Sequence, residues 1–86
     1  MEIAFTDKAK EHLAEWKTSG NKAAMKKIEA LLVNIKETPF TGIGKPEELK
    51  YNWAGFWSRR ITSEHRLIYN IENETIIVYS LKGHYK

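Results

Sequence analysis

No cysteine occurs among the 86 residues. That excludes a disulfide framework and a thiolate metal site, and nothing points to an oxidising compartment, so a cytoplasmic location is expected. A long apolar run is also missing: Met1 to Thr6 leads straight into Asp7, Lys8, Lys10 and Glu11, which leaves no candidate signal peptide or membrane span. Internal repeats, low-complexity tracts and linkers are lacking, and the length allows one domain, residues 1–86, with a modest core. The His, Asp and Glu residues show no metal-ligand spacing, so neither a metal nor a cofactor is expected. No helix-turn-helix or ribbon signature for reading DNA is present. Excess charge of one sign is slight: 14 Lys and Arg against 11 Asp and Glu give +3, a mild bias toward polyanionic partners.

With 42% hydrophobic and 29% charged residues, the composition is that of a globular chain that folds alone. Glu2 to Thr6 alternates polar and apolar around Ile3 and Phe5, as a half-buried strand does. Thr6 is suited to cap a helix carrying Ala9, Leu13 and Trp16 and stopping at Gly20. Asn21 is suited to cap a second, with Ala24, Ile28, Leu31, Leu32 and Ile35 on one face and Lys22, Lys26, Lys27 and Glu29 facing away. It should end near Thr38-Pro39. Residues 38–50, with two glycines and two prolines, read as a loop. Four runs rich in aromatic and β-branched residues follow, Leu49–Trp53, Phe56–Thr62, Arg66–Ile71 and Thr75–Leu81; their short connections imply antiparallel pairing. The expected fold is α+β: two N-terminal helices packed on one face of a twisted antiparallel sheet, with the other face open.

Alternation places Trp57, Arg59 and Ile61 on one side of their strand and Phe56, Ser58 and Arg60 on the other. If Trp57 and Ile61 join Leu67 and Ile71 in the core, Arg60 and Arg66 share the outer face as diagonal neighbours. Two guanidiniums converging there suit phosphate oxygens; alternatively, both are solvated or pair with Glu47, Glu48 or Glu64. Of the rings, Trp57 fits the core and Phe56 the exposed surface. In the tail, His84 follows Gly83, and an imidazole with an ordinary pKa of about 6.5 serves as acid or base near neutrality. Parity leaves the direction of His84 open, and an idle terminal histidine is the alternative. His12 reads as surface, His65 as a turn residue and Trp16 as core, and none of the three is assigned chemistry.

Taken in order, Thr38-Pro39-Phe40, Gly42, Gly44-Lys45-Pro46-Glu47, Leu49-Lys50, Gly55-Phe56-Trp57-Ser58-Arg59-Arg60-Ile61, Glu64-His65-Arg66-Leu67 and His84-Tyr85 closely resemble the YoeB-type toxins of the RelE superfamily. The resemblance spans nearly the whole chain. Glu48 stands where the family has proline, Gly83 replaces an aromatic residue, and Lys86 extends the chain past Tyr85.

The resemblance implies a RelE-like microbial ribonuclease fold and an endoribonuclease that cuts mRNA in the A site of the small ribosomal subunit. It also implies neutralisation by a YefM-like antitoxin, and a homodimer as a further state. Carried over by position, Glu47 is the general base, His84 the general acid and Arg66 the main phosphate ligand, with Lys50, Arg60 and Tyr85 supporting. The RNA's own 2'-hydroxyl is then the nucleophile, so no metal is required. Competing readings are a nuclease that acts on free RNA and a non-catalytic RNA- or protein-binding homologue.

Overall fold

The computed structural model describes residues 1–83. Chain order is β1 (Glu2–Phe5), α1 (Asp7–Ser19), α2 (Lys22–Glu37), β2 (Glu47–Glu48), a 3-10 turn (Tyr51–Trp53), β3 (Trp57–Arg60), β4 (Arg66–Glu72) and β5 (Thr75–Ser80).

Both helices begin where the side chains dictate. Thr6 Oγ1 accepts the Ala9 N–H at 3.1 Å and Asn21 Oδ1 accepts that of Ala24 at 3.0 Å, each supplying a partner to an otherwise orphaned first-turn donor. Gly20 ends α1 in the left-handed region at φ 76°. α2 stops at Thr38, whose N–H still reaches Asn34 O at 2.8 Å, and Pro39 follows.

The sheet order is β1-β5-β4-β3-β2. β2, β3, β4 and β5 pair antiparallel in succession, as their short connections require. β1 instead lies parallel to β5, because both helices intervene before the chain returns to that edge. The expected antiparallel sheet is therefore antiparallel except at this one pairing.

Ala9 and Trp16 of α1 and Ala24, Ile28, Leu31 and Ile35 of α2 pack on Leu67 and Tyr69 of β4 and Ile76 and Val78 of β5 to form the core. The helices thus cover one sheet face, and the expected α+β architecture is the one observed. Leu49–Trp53, expected as a strand, is not one. Pairing is confined to Glu47 and Glu48, and the chain then turns through Tyr51 at φ 59° into the 3-10 turn. Glu48 pairs with Trp57, and Leu49 continues beside the segment leading into β3, its N–H donating to Phe56 O at 2.9 Å.

β5 contains a bulge. Its register with β4 slips between Ile68 (opposite Ser80) and Tyr69 (opposite Val78), leaving Tyr79 as the extra residue. Simple alternation from Val78 would send Leu81 to the open face; after the bulge Leu81 is fully buried in the core.

Candidate active site

On the open face, Glu47 lies opposite Ser58 across β2 and β3, and Arg60 lies opposite Arg66 across β3 and β4. The two arginines are direct cross-strand partners rather than diagonal neighbours. Together with Lys45, Pro46 and Ser58, the Glu47, Arg60 and Arg66 side chains line a cleft of about 280 Å³. Three cations face one carboxylate there, so the cleft favours an anion.

Arg66 is held in place by the turn that precedes it. Its Nη1 donates to the carbonyls of Thr62 (3.2 Å), Ser63 (3.3 Å) and His65 (3.4 Å). Among the described residues the ion pair formed is Lys82 with Glu15, at 3.0 Å on the α1 side. Neither Arg60 nor Arg66 is paired there with Glu47, Glu48 or Glu64, so the paired form of the alternative does not describe this face; Arg60 is exposed to solvent and Arg66 half-buried, which leaves their charges open to an anion. Like charges set opposite one another repel, and a phosphate that accepts from both removes that cost.

The remaining candidates are distributed as follows. Lys50 is exposed at the entrance to the 3-10 turn, three residues past Glu47, and does not line the cleft. His84 and Tyr85 lie outside the described residues. Of the rings, Trp57 is half-buried against the core, with Phe40 tilted over it at 4.9 Å. Phe56, expected to be the exposed ring, is also half-buried: it meets Trp53 edge-on at 5.1 Å and Tyr79 at 4.6 Å on the open face.

One residue of the site's framework carried no assignment in the sequence. Arg59 is fully buried, and its guanidinium makes five hydrogen bonds: Nε to Tyr69 Oη (3.1 Å), Nη1 to Asn34 Oδ1 (2.6 Å) and Ile43 O (3.0 Å), Nη2 to Thr38 O (2.8 Å) and Thr41 O (3.1 Å). Tyr69 Oη in turn donates to Pro39 O at 2.6 Å, and burial raises its pKa above the ordinary tyrosine value. One guanidinium therefore fastens the carbonyls of residues 38–43 to the sheet, immediately upstream of Lys45-Pro46-Glu47. Gly44 completes the anchor. Its carbonyl accepts from Arg60 N at 2.7 Å, and at φ 79° a Cβ there would stand 2.6 Å from Leu31 Cδ2, so only glycine fits. The available sequence signal was parity: an arginine between Trp57 and Ile61 on the core face must find acceptors, and the carbonyl-rich loop supplies them.

Among the described residues no three His, Asp or Glu side chains converge on a point where an ion would sit, and no helix is long and apolar enough to cross a membrane.

Two helices on one face of an open five-stranded sheet are the RelE-like fold. A family model described as YoeB-like toxin of bacterial type II toxin-antitoxin system matches residues 5–85. Toxin YoeB of Synechocystis is 45% identical over 86 residues, covering all of this chain and 99% of that one. Among solved structures, the YoeB/ParE toxin from Agrobacterium tumefaciens superposes with a TM-score of 0.93 at 38% identity, over 99% of this chain and 100% of that one. The toxin of a YoeB-YefM complex from Staphylococcus aureus does so at 0.85 and 42%, over 99% and 98%. The chain belongs to the YoeB toxin family and is a toxin of the type II toxin-antitoxin class.

Proposed function

We propose that this toxin is a ribosome-dependent endoribonuclease that cuts mRNA in the A site by attack of a ribose 2'-hydroxyl on the adjacent phosphate, and that a YefM-like antitoxin neutralises it. The observation that carries the reading is the cleft in which Glu47 faces the opposed, unneutralised Arg60 and Arg66. In this mechanism Glu47 takes the proton from the 2'-hydroxyl. The phosphate gathers negative charge on its equatorial oxygens as it becomes pentacoordinate, and Arg66 and Arg60 donate to those oxygens more strongly than in the ground state. His84 gives a proton to the departing 5'-oxygen, each such transfer contributing on the order of 100-fold to 10,000-fold. Tyr85 supports the phosphate, Lys50 supports the RNA backbone beside the cleft rather than the phosphate within it, and the half-buried rings of Phe56 and Tyr79 offer edges and faces to an unpaired base. Every step uses side chains and the substrate's own hydroxyl, so the reaction runs without a metal. The YefM partner is proposed by analogy with the Staphylococcus aureus complex.

The test is a programmed ribosome carrying mRNA with a single 2'-deoxy residue at the mapped cleavage position. All-ribose mRNA is expected to be cut to a 2',3'-cyclic phosphate or 3'-phosphate end, and the deoxy substrate to survive. Cleavage of the deoxy substrate at the same bond would overturn the mechanism, and an intact all-ribose mRNA would overturn the function.

A further inference from the structure

Residues 81–83 form the last described segment, and His84 is joined directly to Gly83. This short segment is tied down at almost every polar group. Leu81 N–H donates to His12 Nδ1 at 3.1 Å and Leu81 O accepts from Trp16 Nε1 at 2.8 Å. Gly83 N–H donates to His65 Nδ1 at 2.8 Å and Gly83 O accepts from Arg66 N–H at 3.1 Å. Between them, Lys82 O accepts from Ser80 Oγ at 3.0 Å, while Lys82 Nζ reaches Glu15 at 3.0 Å and sits 5.1 Å from the Trp16 ring. Trp16 also meets the His65 ring edge-on at 5.2 Å, linking the two histidine contacts through one indole.

A backbone N–H only donates, so the Nδ1 atom that receives it must carry a lone pair. Both imidazoles are therefore held as the neutral tautomer with the proton on Nε2. Protonating either ring turns its acceptor into a donor facing a donor, and that contact is lost.

We propose that His12 and His65 are positioning residues: in their neutral forms they clamp the amides of Leu81 and Gly83 and thereby fix the point and direction from which the chain continues to His84. The proposal rests on the reading of His84 as the general acid. It gives the toxin imidazoles of opposite requirement. His12 and His65 must be neutral for the tail to be held, whereas His84 must carry a proton to give one. Acidification then loosens the segment that leads to His84 by protonating His12.

The surroundings of both rings fit this division. His12 is faced by Glu15, Glu11 and Lys8 from its own helix and by Lys82 from the tail; burial foremost, with help from Lys8 and Lys82, holds its pKa below the ordinary 6.5 despite the two glutamates. In sign, the contact is present in full above about 6.5 and is lost as the pH falls through the lower value in the folded protein. His65 is faced by the Trp16 ring from α1 and Gly83 from the tail, with Glu64 and Arg66 as its chain neighbours.

The first arm of the test is nuclear magnetic resonance of the full chain between pH 8 and pH 5. The imidazole nitrogens of His12 and His65 are expected to show an unprotonated Nδ1 and a protonated Nε2. The Leu81 amide signal is expected to move as His12 takes up its proton, and the Gly83 amide signal to keep its position only while His65 Nδ1 is unprotonated. Amides that stay still while the rings titrate would overturn the clamp.

The second arm is the single-turnover cleavage rate on programmed ribosomes. His65→Ala and the double variant with His12→Ala are expected to lose roughly 10-fold to 100-fold in rate at unchanged ribosome binding, the size of effect that follows a small misplacement of a reacting group. His→Asn at both positions retains an acceptor that cannot titrate; it is expected to restore most of the rate and to shift the acidic limb of the pH profile to lower pH. Ala variants that cut at the full rate would overturn the positioning role. A wild-type protein that cuts nothing would overturn the functional reading and the proposal with it, and the amide titrations tell that failure from a failure of the clamp.

Discussion

Arg59 carries a full charge into the core with no carboxylate to meet it; the charge is spread instead over carbonyl oxygens, an amide oxygen and a phenol. Such an arrangement is tolerable only when every N–H is satisfied, since an unpartnered buried charge is far costlier than any single hydrogen bond. It also ties two regions of the chain to one side chain. Arg59→Met removes the charge but strands the carbonyls of Thr38, Thr41 and Ile43, at about 1–3 kcal/mol for each that water does not reach. The urea midpoint is therefore expected to fall by the equivalent of about 3 kcal/mol or more, and cleavage activity to fall further than the folded fraction does, because the loop leading to Glu47 loses its anchor. A midpoint within about 0.5 kcal/mol of the wild type would contradict the account. The neighbouring Arg60 has opposite surroundings although it is chemically identical, and sequence parity alone distinguishes them. That much was legible in the sequence. The acceptors that make burial of Arg59 tolerable were not, because they are backbone carbonyls of a loop with no periodicity.

At the level of elements, the helices and their limits followed directly from side-chain chemistry: Thr6, Asn21, Gly20 and the Thr38-Pro39 step are where the chain does what their local geometry favours. Thr6 does more than cap, since its hydroxyl donates to Tyr79 O at 3.0 Å and its N–H to Val78 O at 3.0 Å, fastening the start of α1 to the bulged strand. Thr6→Ala is accordingly expected to cost about 1–2 kcal/mol, toward the upper end of a simple cap, as read from the thermal midpoint; a loss of only a few tenths would mean that the strand contact contributes nothing. The strands were less legible. Leu49–Trp53 has the apolar and aromatic content of a strand, but a positive φ at Tyr51 breaks it into a short pairing and a turn. The bulge at Tyr79 inverts the parity of everything after it, which is why alternation could not orient the tail. Neither feature has a sequence signature.

For the whole molecule, the division of labour between faces was readable from the pattern of apolar residues, and the resemblance of the motifs to YoeB toxins agrees with a family match over residues 5–85. The net charge of +3 says little by itself; the placement of Lys45, Arg60 and Arg66 around one carboxylate says more. The sequence anticipated that Arg60 and Arg66 would share a face, and register made them direct partners. Nothing in the sequence points to the contacts of His12 and His65, because their partners, the amides of Leu81 and Gly83, lie 69 and 18 residues away.

The proposed activity of this cleft is mRNA cleavage on the ribosome. Its most direct test incubates the wild type, Arg66→Ala and His84→Ala with a programmed ribosome and, separately, with the same RNA free in solution, and maps the ends produced. Cleavage by the wild type confined to the A site, with each variant slower by roughly 100-fold or more, corresponding to about 3 kcal/mol of lost transition-state stabilisation for the arginine, is the predicted result. Equal cutting of free RNA, or full activity in Arg66→Ala, would contradict it.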